Sequence, residues 1–115
     1  MSVSVRTQVE NAFLSLAPEE RQAIISHGTA LRLSDLRKRL FLAESKVQRF
    51  EEKYRTTLAQ VEADGLPDDA DYELHEDYIM WRHWTAVADK MQQDVVALSQ
   101  ISLLGLSLGE PVLAG

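Results

Sequence analysis

The sequence predicts an all-α protein built around a long antiparallel helical hairpin, coiled-coil-like, with a short N-terminal helix and an apolar C-terminal tail. Two stretches carry apolar residues at alternating spacings of three and four, the pattern of coiled-coil helices. A short turn rich in aspartate, Gly65-Leu66-Pro67-Asp68-Asp69, separates them. Because long helices joined by a short loop pack antiparallel, the two stretches predict the two arms of one hairpin.

The first arm is predicted to run from about residue 31 to residue 64. Its intervening positions are mostly charged or polar, so the helix has one apolar stripe. Gly65 suits the position just after a helix, and Pro67 cannot continue one. The apolar stripe consists of Leu33, Leu36, Leu40, Ala43, Val47, Phe50 and Tyr54, extended by Leu58 and Val61.

The second arm is predicted from about residue 71 to residue 104. An aspartate at position 68, 69 or 71 can cap its N-terminus, and acidic residues in its first turn favour the helix dipole. Gly105 is predicted to end the arm. Its apolar stripe consists of Trp81, Trp84, Ala88, Met91, Val95 and Leu98. Each arm would be about 50 Å long.

The two ends of the chain differ in pattern from the arms. Residues 3–28 predict N-terminal helices, with a restart at Pro18 and a weak point at Gly28. In the tail, residues 105–115, apolar residues lack helical periodicity. Leu104, Leu106 and Leu108 alternate with small residues, which is typical of a strand. At 115 residues the whole chain is predicted to form a single domain.

Charge is distributed unevenly along the chain. The formal net charge is −6, which argues against a general nucleic-acid binder. Residues 32–55 nevertheless hold eight basic and four acidic side chains, whereas residues 62–77 hold eight acidic side chains and no lysine or arginine. The hairpin is therefore predicted to have a basic first arm and an acidic tip.

The sequence offers little to catalysis. The absence of cysteine excludes thiolate nucleophiles, thiolate metal sites and disulfides. There is no GxSxG motif, and the glycines are too scattered for a phosphate loop. We therefore expect neither an enzyme nor a cofactor. The N-terminus lacks an apolar leader, and no uncharged run is long enough to span a bilayer, so a cytoplasmic protein without membrane contact is expected.

A metal site is a third possibility at the acidic tip. His75 and His83 lie about two helical turns apart, near several carboxylates. Their spacing matches neither an EF-hand nor an HExxH motif. Acids in the first turn of a helix, stabilised by its dipole and by solvent, explain the same residues without a metal. No metal ligand is therefore assigned.

Two features point to protein binding. Trp81 and Trp84 lie one turn apart, and tryptophan is enriched at binding hot spots, although packing in the hairpin core is the favoured interpretation. The tail is rich in leucine, and exposed apolar residues at that density normally have a partner. The residues assigned to partner contact are Asp68, Asp69, Glu73, Trp81, Trp84, Leu104, Leu106 and Leu108.

Residues 33–95 resemble a known class of small helical proteins. The segments Phe50-Glu51-Glu52-Lys53-Tyr54 and Asp77-Tyr78-Ile79-Met80-Trp81 carry the resemblance, together with the turn between them. They are similar to helical antitoxin-like proteins of prokaryotic toxin–antitoxin pairs. The resemblance implies a cytoplasmic protein that neutralises a toxin by direct binding. No helix-turn-helix or ribbon element is evident, which places repression of its own operon in doubt.

The predicted function is therefore protein binding, with an antitoxin as its sharpest version. The alternative is a homo-oligomeric coiled-coil structural module that has no toxin partner. A homo-oligomer is expected in either case, because one hairpin with one apolar seam per helix buries little surface.

Overall fold

The structure is a computed structural model that describes the backbone of residues 4–109 and the side chains of residues 4–101. No strand occurs in this part of the chain. No helix in it is long and apolar enough to cross a membrane. The all-α prediction is thus confirmed, and the helices are α1, Val5–Leu14; α2, Pro18–Tyr54; α3, Leu58–Asp64; and α4, Tyr72–Gly109.

The chain divides into two compact units, and the hairpin lies in one of them. The hairpin unit is Asp35–Val95, and the terminal unit is Met1–Ser34 with Val96–Gly115. Within the hairpin unit, Lys53 near the end of α2 meets Asp77 near the start of α4. Farther from the turn, Glu44 and Gln92 line one groove. The two helices therefore run antiparallel, which confirms the predicted hairpin.

The core of the hairpin unit follows the predicted stripes. Leu36 and Trp81 are each 1% exposed and Ala43 is 0% exposed. Leu36 and Ala43 are seven residues apart, so they occupy equivalent positions on the face of α2 that meets α4. Phe50 and Tyr54 continue this face and are half-buried. Few described side chains are fully buried, and the largest of them are Trp81 and Leu36.

The first arm is not the single helix predicted over residues 31–64: it begins earlier and is interrupted after Tyr54, whereas its end at Asp64 agrees with the prediction. α2 ends at Tyr54, because Arg55 adopts a left-handed φ of 53°. Thr57 then caps α3, and its side chain accepts a hydrogen bond from the backbone N–H of Gln60. The threonine hydroxyl offers the backbone an alternative to the helical ladder. The apolar stripe seen in the sequence continues past this break through Leu58 and Val61, because both residues lie on α3, which is also a helix.

α2 also begins earlier than the predicted arm. It starts at Pro18, where a restart was predicted, but it continues through Gly28 without interruption. The separation of helices before residue 28 from a long helix after residue 31 is therefore wrong. A glycine inside a helix costs about 1 kcal/mol. In the terminal unit, Thr29 and Leu33 are buried, and this packing outweighs that cost.

We predict that Gly28→Ala stabilises the protein by about 0.5–1 kcal/mol, since alanine loses less backbone entropy in a helix. A Cβ added at Gly28 meets no atom within 4 Å, so no clash opposes the gain. Urea denaturation followed by circular dichroism measures the change. Gly65→Ala is the matched control, and it should destabilise, because Gly65 has a φ of 75°. A loss of stability in Gly28→Ala would contradict this account of α2.

The second arm is longer than the predicted residues 71–104. Asp71 is the cap, and its Oδ1 accepts a hydrogen bond from the backbone N–H of Leu74 at 2.8 Å. At the other end α4 continues past Gly105 to Gly109. The predicted stop at Gly105 and the strand-like tail are wrong over these residues, because one glycine does not terminate an established helix. Residues 110–115 of the predicted tail lie outside the described residues.

Candidate protein-binding surface

A polar cluster joins the two arms beside the turn of the hairpin. We call Lys53, Tyr54, Glu73 and Asp77 the tip cluster. Lys53 Nζ donates hydrogen bonds to Glu73 Oε1 and Asp77 Oδ2, each at 2.5 Å. The Tyr54 hydroxyl donates to the same Asp77 oxygen at 2.5 Å. One carboxylate therefore receives two donors from the end of α2, which fixes the register between the arms.

The tip cluster shifts the protonation of its members. Hydrogen bonds from Lys53 and then from Tyr54 lower the pKa of Asp77 below its ordinary value. Hydrogen bonds to Asp77 and then to Glu73 raise the pKa of Lys53. Burial first, and then the hydrogen bond to Asp77, raise the pKa of Tyr54. The folded state thus favours an ionised Asp77, a protonated Lys53 and a neutral Tyr54.

These pKa shifts predict how stability depends on pH. A lowered carboxyl pKa contributes stability that is present at neutral pH and lost as the pH falls through the folded-state pKa of Asp77. Raised pKa values for Lys53 and Tyr54 contribute stability that is lost only as the pH rises through their folded-state pKa values. The tip cluster therefore stabilises the hairpin across the neutral range and weakens at both extremes.

We predict that Asp77→Asn costs about 1 kcal/mol at pH 7, because the charge-assisted hydrogen bonds become neutral ones. The variant should also lose less stability than the wild type on acidification. Urea denaturation at a series of pH values measures both effects. Asp89→Asn is the control, because Asp89 is an exposed aspartate on the same helix that is not part of the tip cluster. Equal acid sensitivity in Asp77→Asn and the wild type would contradict the prediction.

The two tryptophans occupy different environments. Trp81 stacks on Phe50 at a ring-centroid distance of 5.9 Å and on Tyr54 at 5.8 Å, and it is almost fully buried. Trp84 is half-buried and meets His83 edge-on at 5.1 Å. Trp81 is thus part of the hairpin core, and a partner could contact it only if the arms separated. The exposed part of Trp84 is accessible.

The acidic residues assigned to partner contact lie at the turn. Asp68 and Asp69 are exposed and make no ion pair or hydrogen bond with a described residue. Asp69 and Glu73 line an open pocket of about 390 Å³ together with Lys53. The structure therefore brings Asp69 and Glu73 together and leaves Asp68 beside them. The side chains of Leu104, Leu106 and Leu108, also assigned to partner contact, lie outside the described residues.

An acidic groove along the hairpin was not predicted from the sequence. Its volume is about 520 Å³, and it is lined by residues of both arms: Glu44, Val47, Gln48, Glu51, Thr85, Ala88, Asp89 and Gln92. Glu44 and Glu51 are one heptad apart, which was the signal available in the sequence. Only the structure shows that these two glutamates line a groove, because it places Asp89 of the other arm in the same lining.

Within the described residues, no group of three or more His, Asp or Glu side chains is placed to hold a metal ion. Comparison with protein-family models, with curated proteins and with solved structures finds no match to this chain. The resemblance to antitoxins, the expected partners and the expected absence of catalysis therefore stay predictions.

Proposed function

We propose that this chain is a protein-binding helical protein that acts by covering a surface of a cognate partner, without chemistry. The observation that carries the proposal is the distribution of apolar side chains. Only four apolar residues are buried among residues 4–101, namely Leu33, Leu36, Ala43 and Trp81. Thirteen large apolar residues of the same part of the chain are exposed: Val5, Val9, Leu14, Leu16, Ile24, Leu31, Phe41, Leu42, Tyr72, Ile79, Met80, Val96 and Ile101.

This distribution supports binding because large exposed apolar surface in a folded protein usually marks an interaction site. α1 illustrates the point within the terminal unit, because it has no buried residue although Val5, Val9 and Leu14 lie along it. In the hairpin unit, Ile79 and Met80 are exposed next to buried Trp81. Among residues 4–101, more large apolar side chains are therefore exposed than are buried.

The partner in this proposal has a basic surface that faces the acidic turn. Of the eight acidic residues between positions 62 and 77, Glu73 and Asp77 are paired with Lys53, and Glu62 is paired with Arg82. Asp68 and Asp69, in contrast, face solvent. Complementary charge speeds encounter and selects against wrong partners. A basic partner is therefore favoured over an acidic one.

The sharpest version of the proposal is an antitoxin. Many toxins of such pairs act on RNA, so their active sites are basic, and the acidic turn would fit such a site. In this version the hairpin occludes the toxin's surface, and Asp68, Asp69, Glu73 and the exposed part of Trp84 contact it.

The experiment expresses the product of the adjacent gene alone and together with this chain. The antitoxin version expects growth arrest by the neighbour alone, rescue on co-expression, and a stable complex of the two purified proteins. Asp68→Lys with Asp69→Lys should weaken the complex at least about tenfold, because two attractive charges become repulsive. Glu19→Lys with Glu20→Lys, a double charge reversal of exposed residues in the terminal unit, is the matched control.

The outcomes separate the two levels of the proposal. A neighbour that is harmless but forms a complex would overturn the antitoxin version and leave protein binding in place. A complex that is insensitive to both aspartate reversals would overturn the role of the acidic turn. If the neighbour neither arrests growth nor binds the chain, the proposal of a cognate partner encoded beside it fails.

The second candidate function is the homo-oligomeric structural module. It is favoured by one specific observation, the exposure of Phe41 and Leu42 on α2 next to buried Ala43. Phe41 is the subject of the inference that follows.

A further inference from the structure

The outward side of α2 in the hairpin unit carries a large unpartnered aromatic residue. Phe41 is 73% exposed and its neighbour Leu42 is 50% exposed, whereas Ala43 is fully buried against the other arm. Residues three and four apart lie on the same helical face. Arg37, Phe41, Glu44 and Gln48 therefore form one exposed stripe, which we call the Phe41 stripe.

Charge changes sign along the Phe41 stripe. Arg37, with Lys38 beside it, precedes Phe41, and Glu44 follows it. None of these three charged residues makes an ion pair with a described residue. Gln48 comes next along the stripe and donates a hydrogen bond to Glu52 at 3.2 Å, so a second carboxylate lies near the acidic end. The stripe is thus basic on one side of its aromatic centre and acidic on the other.

We propose that the Phe41 stripe pairs with the same stripe of a second copy of this chain, in an antiparallel arrangement about a two-fold axis at Phe41. The interface would be isologous, so every contact occurs twice. Phe41 of one copy packs on Phe41 of the other, and each Arg37 meets Glu44 of the opposite copy. The proposal goes beyond hetero-partner binding and does not depend on it.

The spacing along α2 supports this pairing. At a rise of about 1.5 Å per residue, Arg37 lies about 6 Å before Phe41 and Glu44 about 4.5 Å after it. A two-fold axis at Phe41 therefore brings Arg37 of one copy to within about 1.5 Å, along the axis, of Glu44 of the other. Helices that pack together lie about 8–10 Å apart, a gap that arginine and glutamate side chains can bridge. A parallel pairing would instead oppose like charges.

The acidic groove strengthens the choice of a second copy. Glu44 and Gln48 belong both to the Phe41 stripe and to the lining of the groove, where Glu51 and Asp89 add two further carboxylates. The guanidinium of Arg37 in the opposite copy would therefore enter a field of several acidic side chains. Arginine suits such a site because its planar fork binds carboxylates with two hydrogen bonds. The same face thus carries both the basic and the acidic residues that two copies would pair, and the apolar residue that would lie between them.

The first test measures molar mass across the micromolar range by sedimentation equilibrium. The wild type should be a dimer, and Phe41→Ser should raise the dimer Kd at least about tenfold, since the central apolar contact is lost. Ile79→Ser is the matched control, because Ile79 is also exposed, at 59%, but lies on α4. A monomeric wild type, or a dimer lost equally in both variants, would overturn the proposal.

A charge-swap cycle tests the register. Arg37→Glu and Glu44→Arg should each weaken the dimer, and the double variant should restore it. Residues seven apart on one helix are too distant to pair with each other, so restoration reports a contact between copies. Single reversals without effect, or a double variant as weak as the singles, would overturn the antiparallel pairing.

A cross-linking test locates the two-fold axis. The chain has no cysteine, so Phe41→Cys introduces one thiol per copy. A short bis-maleimide should link this variant into a covalent dimer, and the corresponding Ile79→Cys variant should stay largely unlinked. Efficient linking only at position 79 would place the self-contact elsewhere and overturn the proposal. None of these outcomes bears on the binding of a hetero-partner through the acidic turn, so the two proposals can fail separately.

Discussion

Trp81→Ala is expected to destabilise the protein by about 3–5 kcal/mol, the usual cost of removing a fully buried large aromatic side chain. Trp81 is almost inaccessible, and its ring lies against both Phe50 and Tyr54. No other described core residue connects the arms through stacked rings. Because small domains are stable by only about 5–15 kcal/mol, this one change removes a large part of the total.

Urea denaturation followed by circular dichroism measures the loss, and Trp84→Ala is the matched control. Trp84 is only half-buried, so the same substitution should cost clearly less there. Trp81→Phe should recover part of the stability, because a phenyl ring retains stacking on the two neighbours. Equal losses at positions 81 and 84 would show that Trp81 does not have the central role that its burial assigns to it.

The sequence predicted the hairpin because two independent signals agreed. The heptad stripes identified the faces that pack, and buried Leu36, Ala43 and Trp81 all belong to those stripes. Turn chemistry identified the break between the arms, since Gly65 has the positive φ expected after a helix and Asp71 caps α4. Both signals are local, and local signals can be read from one sequence.

The helix ends were predicted less well, because they depend on competition between local preference and packing. The sequence predicts a weak point at Gly28 and a helix end at Gly105, yet α2 and α4 continue through them. The break at Arg55 was not predicted from the sequence. The segments on both sides of it are helical, and their apolar residues keep the spacing of three and four across it. A periodic pattern does not report an interruption of three residues.

The candidate site depended on contacts that are distant in sequence. The tryptophan pair was visible in the sequence, but the burial of Trp81 required the stack with Phe50 and Tyr54. The tip cluster joins Lys53 to a carboxylate 24 residues away. The sequence identified acidic residues near the turn without indicating which of them are neutralised. Only the antiparallel register separates paired Asp77 from exposed Asp68 and Asp69.

Leu36→Ala is expected to be the second most destabilising change, at about 2–5 kcal/mol. Leu36 is 1% exposed and occupies the α2 stripe in the hairpin unit, so its removal leaves a cavity that the rigid neighbouring helix cannot fill.

Leu42→Ala is a sharp control for this prediction, because it makes the same chemical change on the same helix at a side chain that is half exposed. Below the dimer Kd it should cost under about 1 kcal/mol, as expected for a surface substitution. Leu42 follows Phe41 by one residue and so points about 100° away from it around the helix, outside the Phe41 stripe. Leu42→Ala should therefore cost the same in dilute solution as at a concentration where the wild type is dimeric. Leu36→Ala should show the same loss at both concentrations, because its burial lies within one chain. A loss at Leu42 equal to that at Leu36 would contradict the assignment of the inner and outer faces of α2.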